Sequence, residues 1–360
     1  MARNTTIARN VLAQPNFHFL QAPIYQAKPQ TLPPTNSYAD ILLASGYDGA
    51  DELDGLLRSW ITTLSLYKPD LLIADHAPTA LLAARALGIR AMLVGTGFEI
   101  PPAFDPFPSL IHWRQANPDH LLQSQNRALA AVNQVLSRRG IAALPSLSSL
   151  FATTPRLISS IKELDPYGVR PDVRYIGAID SPQSGKREKW VSKSDSKVFA
   201  YLHDGLEQLL PLIDGLRRAD VEAICVFPGV PKGELPPSGA NVKIYNDMLD
   251  LENLLPETSL CISNGGNGLA GKCLAQGIPM LLMPIYLEQF ITADRIVKLG
   301  AGMVVSGPQT TEQYSSIIRA ALKAPGIKSS AMKIMQATAN PDSAGELYLA
   351  TVEALLASRG

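Results

Sequence analysis

Apolar positions along this chain follow two alternating periods. Leu53, Leu56, Leu57, Trp60, Ile61 and Leu64 recur at spacings of three and four, which predicts a one-faced amphipathic helix over residues 51–66. Shorter apolar runs predict strands. Leu260–Ile262, with a small Ser263 behind it, is too short for a helix, and Lys197–Leu202 reads as a strand followed by a helix over Leu206–Arg218. Asn117-Pro118 has the form of an N-cap with proline at the first helical position, and Gly140 that of a terminator, so a long helix is expected between them. The final segment, Ser343 to Ser358, carries Leu347, Leu349, Val352, Leu355 and Leu356 as the apolar residues of a last helix.

Strand and helix alternate to about Ile179, and the pattern then breaks. Residues 181–196 are rich in Ser, Lys and Gly and poor in apolar residues, as a linker would be. A second alternating half starts at Lys197. Three segments are therefore expected: residues 1–196 with their linker, 197–342, and a terminal helix over 343–360. At 360 residues the chain exceeds the roughly 250 to 300 at which a single core stops growing.

Composition narrows the range of partners. With 32 basic and 32 acidic residues the formal charge is zero, which gives no electrostatic case for nucleic acid or a membrane surface. The three cysteines, Cys225, Cys261 and Cys273, lie in apolar or helical contexts without metal-ligand spacing and read as buried thiols. No apolar run has transmembrane length, and the polar, arginine-bearing N-terminus has no apolar core. A cytoplasmic location is expected. No Asp-x-Asp metal motif occurs, and neither metal nor bound cofactor is expected.

The densest chemistry lies between Leu260 and Val305. After the Leu260 strand comes Asn264-Gly265-Gly266-Asn267-Gly268, then a helix, then Gly277-Ile278-Pro279, Glu288-Gln289 and Gly300-Ala301-Gly302. A glycine-rich strand-to-helix turn presents unpaired N–H groups at the positive end of a helix, which suits phosphate. A turn of this kind also occurs with no ligand at all.

The continuation resembles the donor-nucleotide signature of the two-Rossmann-domain (GT-B) glycosyltransferases, specifically the bacterial relatives of macrolide and UDP-glucuronosyl transferases. In that family the run is H-G-G-x-G-[ST]-x-x-E-A-L, then G-[VI]-P-x-x-x-x-P, [DE]-Q, N-A and G-x-G. This chain supplies Gly265, Gly266, Gly268, Leu274, Gly277-Ile278-Pro279, Pro284, Glu288-Gln289, Ala293 and Gly300-Ala301-Gly302 in register. Lys68 to His76, an Ala-rich helix to Gly88, and Val94 to Phe98 look like late strands of the family's acceptor-binding half.

The resemblance implies an α/β fold of GT-B type, with two Rossmann-like domains facing a cleft and a last helix crossing back onto the first. It also implies that the N-terminal domain lacks its opening elements. Ala2–Asn16 looks like the helix after the family's second strand and Phe17–Gln21 like the next strand, a deficit of one βαβ unit or roughly 30 residues. The implied activity is metal-independent, inverting transfer of a hexose from a UDP- or dTDP-sugar to a small lipophilic or glycosylated acceptor. The alternative is a degenerate, non-catalytic binding or auxiliary protein, or an inactive truncated product.

By the same resemblance Asn264, Gly265, Gly266, Asn267 and Gly268 meet the donor's phosphates, Glu288 and Gln289 its sugar, and Met248 stands on the approach to its base; His203 is placed on the phosphate side by its position after the first strand of the second half, and Lys272, one turn after Gly268, either reaches a phosphate or is a solvated surface lysine. Three of these positions depart from the family. Asn264 stands for a phosphate-binding histidine, Leu269 for a hydroxyl residue, and Lys272 for a glutamate on the ribose. Met248, where an aromatic residue often stacks, suits core packing equally well. Phe98 and Glu99 border the expected acceptor pocket. Asp75 sits where the family's orienting aspartate is expected, or else it N-caps the helix near Pro78. Its histidine partner has no counterpart, and His76 is either a substitute base or a loop histidine at a strand end.

Overall fold

The computed structural model describes residues 1–11, 16–26, 35–152, 155–179, 185–192, 196–203, 205–338 and 343–358. The chain divides into two compact units, Met1–Gly177 with Asp342–Gly360, and Ala178–Pro341. Much of the expected linker, residues 181–184 and 193–195, lies outside the described residues, as does Asp204.

The first unit is built on four parallel strands, β1 (Leu72–Ala74), β2 (Ala91–Gly95), β3 (Arg156–Ile158) and β4 (Arg174–Tyr175), ordered as numbered. The predicted amphipathic helix spans Ala50–Tyr67 and buries Leu53, Leu57, Trp60 and Leu64. It ends at Lys68, whose left-handed backbone, φ 45°, turns the chain toward β1. The helix Pro118–Ser137 starts as expected, with the Asn117 side chain accepting from the Asp119 amide at 2.9 Å. Ser343 caps the last helix, Ala344–Ala357, through a reciprocal bond with Glu346. Its Leu347 joins buried Met92, Leu157 and Ile176, and Arg90 donates to the Leu355 carbonyl and, at 3.0 Å, to the Ser358 hydroxyl.

The N-terminal expectation needs correction. Among the described residues a helix covers Thr5–Val11, residues 12–15 of the expected helix lying outside them, and Phe17–Gln21 is not a strand: Gln21 makes a single parallel bridge to Ala2. Phe17 is half-exposed, and among the described residues only Ala2 pairs with this stretch, so no ladder extends it.

The second unit carries six parallel strands: β5 (Lys197–Tyr201), β6 (Glu222–Val226), β7 (Val242–Tyr245), β8 (Leu260–Ser263), β9 (Met280–Leu282) and β10 (Gly302–Val304). Their spatial order is β10-β9-β8-β5-β6-β7. Relabelled from the first strand of the unit, this is the doubly wound order 3-2-1-4-5-6. Strands β5, β6, β8 and β9 are almost wholly buried, which explains why they read as unbroken apolar runs instead of alternating ones. Cys225, Cys261 and Cys273 are free and buried in this unit. Among the described residues no helix is long and apolar enough to cross a membrane.

Candidate active site

Strand order reverses between β5 and β8, which lie side by side with Tyr201 opposite Ser263. In a doubly wound sheet this switch point opens a crevice beyond the carboxyl ends of the strands, where ligands bind. The loops leaving β5 and β8 are those of His203 and of the glycine turn.

The turn is built by three residues with different tasks. Gly265 adopts φ 83°, in the left-handed region, and a Cβ there would lie 3.2 Å from the Gln289 carbonyl oxygen. Gly266 then caps the helix Asn267–Ala275, whose first ladder bond is from the Ala270 amide to the Gly266 carbonyl, 3.0 Å. The amides of residues 267 to 269 precede that ladder and have no acceptor within the helix. At Gly266 and Gly268, both exposed, a Cβ would meet nothing within 4 Å. Asn267 behaves differently, being buried, with a side-chain oxygen that lacks a hydrogen-bond partner. Lys272 is half-buried one turn further along.

Asn264 braces the two sides of the switch point. Its side chain is buried, its Oδ1 accepts from the His203 amide at 2.8 Å, and its Nδ2 donates to the Met283 carbonyl at 2.9 Å. Both ends of the amide thus engage the protein's own backbone.

Glu288 and Gln289 open the helix Leu287–Lys298. Gln289 Oε1 accepts from the amides of Ile285 and Tyr286 at 2.8 and 3.2 Å, a capping role, while its main chain borders Gly265. Glu288 is exposed. The acid–amide pair and the glycine turn are therefore neighbours.

Met248 is 57% exposed, which rules out the core-packing alternative. Its sulfur accepts from the Tyr201 hydroxyl at 3.6 Å, and the Tyr201 ring meets the His203 ring edge-on at 5.2 Å. Tyr201, Met248 and His203 thus form one surface past β5 and β7. Sequence reasoning missed Tyr201, although its place as the last residue of a strand at the switch point was a usable signal.

In the first unit Asp75 and His76 follow β1, and Phe98 and Glu99 follow its neighbour β2. The helix Pro78–Leu87 is capped at Ala77 with no side-chain cap bond, so Asp75 is not its N-cap. Asp75 instead hydrogen-bonds Glu99. Burial, and then the Glu99 carboxylate, push its pKa from 3.8 up to about 6. His76 lies past the strand end with φ 45°, so the alternation of strand side chains does not apply to it. Its ring meets Tyr38 at 5.9 Å and Phe98 at 6.2 Å. Burial lowers its pKa, as does Arg3, against the pull of Asp75. Glu99 is only 6% exposed, and so is a wall residue at most through its partner Asp75.

Residues 211–349 match the family described as erythromycin biosynthesis protein CIII-like, C-terminal domain. Demethyllactenocin mycarosyltransferase of Streptomyces fradiae is 35% identical over 118 residues, 30% of this chain and 25% of that protein. A PGL/p-HBAD biosynthesis glycosyltransferase of Mycobacterium tuberculosis is 23% identical over 312 residues, 80% of this chain and 72% of that one. The crystal structure of spinosyn rhamnosyltransferase SpnG complexed with thymidine diphosphate superposes with a TM-score of 0.63 at 19% identity, covering 87% and 81% of the two chains. Fold and switch-point turn define an α/β protein of the GT-B class. Within that class, residues 211–349 are similar to the C-terminal domain of glycosyltransferases of the macrolide type.

Proposed function

We propose that this chain transfers a hexose from a UDP- or dTDP-linked sugar to a hydroxyl of a small lipophilic or glycosylated acceptor, inverting the anomeric centre without a metal ion. The observation that carries the reading is the glycine turn at the switch point, where open space above Gly266 and Gly268 adjoins amides at a helix N-terminus. Those amides and the helix dipole would bear the charge of the departing diphosphate. Tyr201, Met248 and His203 would take the base, and Glu288 the sugar hydroxyls. The thymidine diphosphate in the spinosyn transferase supports a nucleotide partner by kinship.

Calorimetry with UDP, dTDP and their glucose conjugates tests the reading, and no heat at millimolar ligand would overturn it. Gly268→Ala gives a sharper result. Alanine is the better helix former by about 1 kcal/mol, so thermal stability should hold or rise. Nucleotide affinity should fall about tenfold or more, because the added methyl occupies the approach to the backbone. Glu288→Ala should weaken the sugar nucleotide more than the free nucleotide, and equal losses would remove its assigned role. Anomeric configuration read by proton NMR of the product, and a rate indifferent to chelator, test inversion and metal independence.

A second reading, a binding protein without catalysis, is favoured by Asn264. Its amide braces two backbone segments where the family would place a phosphate-binding histidine. Nucleotide binding without turnover of any acceptor would select it.

A further inference from the structure

We propose that Asp75 and Glu99 act as one carboxyl pair, in which Asp75 takes the proton of the acceptor hydroxyl and Glu99 positions and strengthens it. The inference rests on the transferase reading above and names a base for it.

The pair is built in, not a chance approach of two acids. Adjacent parallel strands β1 and β2 deliver Asp75 and the Glu99 loop to the same end of the sheet. Glu99 then folds back over β2: the Thr96 amide donates to its Oε1 at 2.6 Å and the Thr96 hydroxyl to its Oε2 at 3.0 Å. A Cβ at position 95 would lie 1.9 Å from that Oε1, so only glycine admits the fold-back. Two carboxyl groups joined by a hydrogen bond hold one proton between them, and the second ionisation is resisted. Asp75 is the accessible member and Glu99 the buried one, so Asp75 alone can touch a ligand.

A separate observation points to a ligand here. Tyr38 is fully buried, and its hydroxyl has no hydrogen-bond partner among the described residues. Glu99, Asp75, Tyr167 and Tyr47 are the charged or titratable groups that act on it. An unmatched buried hydroxyl costs stability, so the structure carries an uncompensated polar group against this site. The groups facing the pair are His76 from the same loop, Tyr38 from the helix Tyr38–Leu42, Tyr167 beyond β3, and Arg3 near His76.

The step balances. The acceptor oxygen bonds to the anomeric carbon, the bond from that carbon to the diphosphate oxygen breaks with its electrons, and the hydroxyl proton passes to Asp75 and is shared with Glu99. The pair goes from two negative charges to one as the diphosphate gains one. A carboxylate whose proton affinity is raised from 3.8 to about 6 has nearly the basicity of an imidazole. The sign for stability follows. A carboxyl raised in the folded chain stabilises it below pH 3.8, and that contribution is lost as pH climbs to about 6.

Carboxyl-carbon NMR of the unaltered protein should show Asp75 titrating near pH 6, and a midpoint near 4 would overturn the pair. Glu99→Gln keeps an oxygen for the Thr96 amide but removes the charge. It should move that midpoint down by about one unit or more. With water as acceptor, hydrolysis of UDP-glucose or dTDP-glucose should show the same shift in the acid limb of kcat and a plateau roughly tenfold lower. An unmoved limb in Glu99→Gln, or a limb abolished by His76→Gln alone, would overturn the assignment. Absence of turnover in the unaltered chain defeats the transferase reading, and with it the base role, whereas the NMR midpoint judges the pair by itself.

Discussion

Arg170→Met should cost about 3 to 5 kcal/mol of stability, because it strands a buried carboxylate. Asp165 is fully buried and Arg170 nearly so, paired at 2.9 Å. Donors converge on the buried carboxylate: Arg170 Nε donates to Asp165 Oδ2 at 3.0 Å, the Tyr175 hydroxyl donates to the same oxygen at 2.7 Å, and the Tyr167 amide donates to Oδ1 at 2.9 Å. Burial and then Asp165 push the Tyr175 hydroxyl up to about 12. Methionine replaces only the aliphatic stem of arginine and leaves Asp165 with a full charge and too few donors. Arg170 also ties this network to the Phe98 loop, donating to the Ile100 carbonyl at 2.7 Å, and the Tyr167 hydroxyl donates to the Phe98 carbonyl at 3.1 Å. Urea unfolding followed by a probe in the first unit measures the loss. The double change Asp165→Asn with Arg170→Met should recover part of it, and a single-variant cost under 1 kcal/mol would show the pair to be idle.

Asn264→Ala should cost about 2 kcal/mol and lower nucleotide affinity together. It removes the acceptor of the His203 amide and the donor to the Met283 carbonyl, and each unmatched group costs about 1 to 3 kcal/mol where water cannot reach it. Partial exposure of His203 keeps the sum near the lower end. Asn264→Asp is the informative control. A carboxylate retains the bond from the His203 amide but turns an acceptor toward the Met283 carbonyl, so it should be as damaging as alanine or worse. If both variants keep wild-type stability and affinity, the brace is not what sets the turn.

Much of the architecture was legible because it is periodic or punctuated. Leu53 to Leu64, Asn117-Pro118 and the apolar runs of β5 and β8 each carry a local signal, and the elements appear there. The Phe17–Gln21 stretch was misread because a strand needs a partner, which lies elsewhere in the chain and leaves no mark within it. The same limit governs the site. Gly265 could be anticipated, since a sharp turn demands positive φ. That Asn264 would be consumed by backbone groups 61 and 19 residues away could not be, nor that Gln289 would spend its oxygen on a cap. Sequence alone places Glu99 at the border of the acceptor pocket. Its bond to Asp75 depends on which strands lie side by side, and no spacing encodes that.

The first unit is discontinuous: Leu347 and its helix complete a cluster begun by Met92, Leu157 and Ile176, and Arg90 clasps that helix's carboxyl end. During synthesis those three side chains therefore wait, uncovered, while the whole of residues 178–341 is made. The second unit is contiguous, so a chain cut short between its end and the last helix carries a complete second unit while the first is still open to protease.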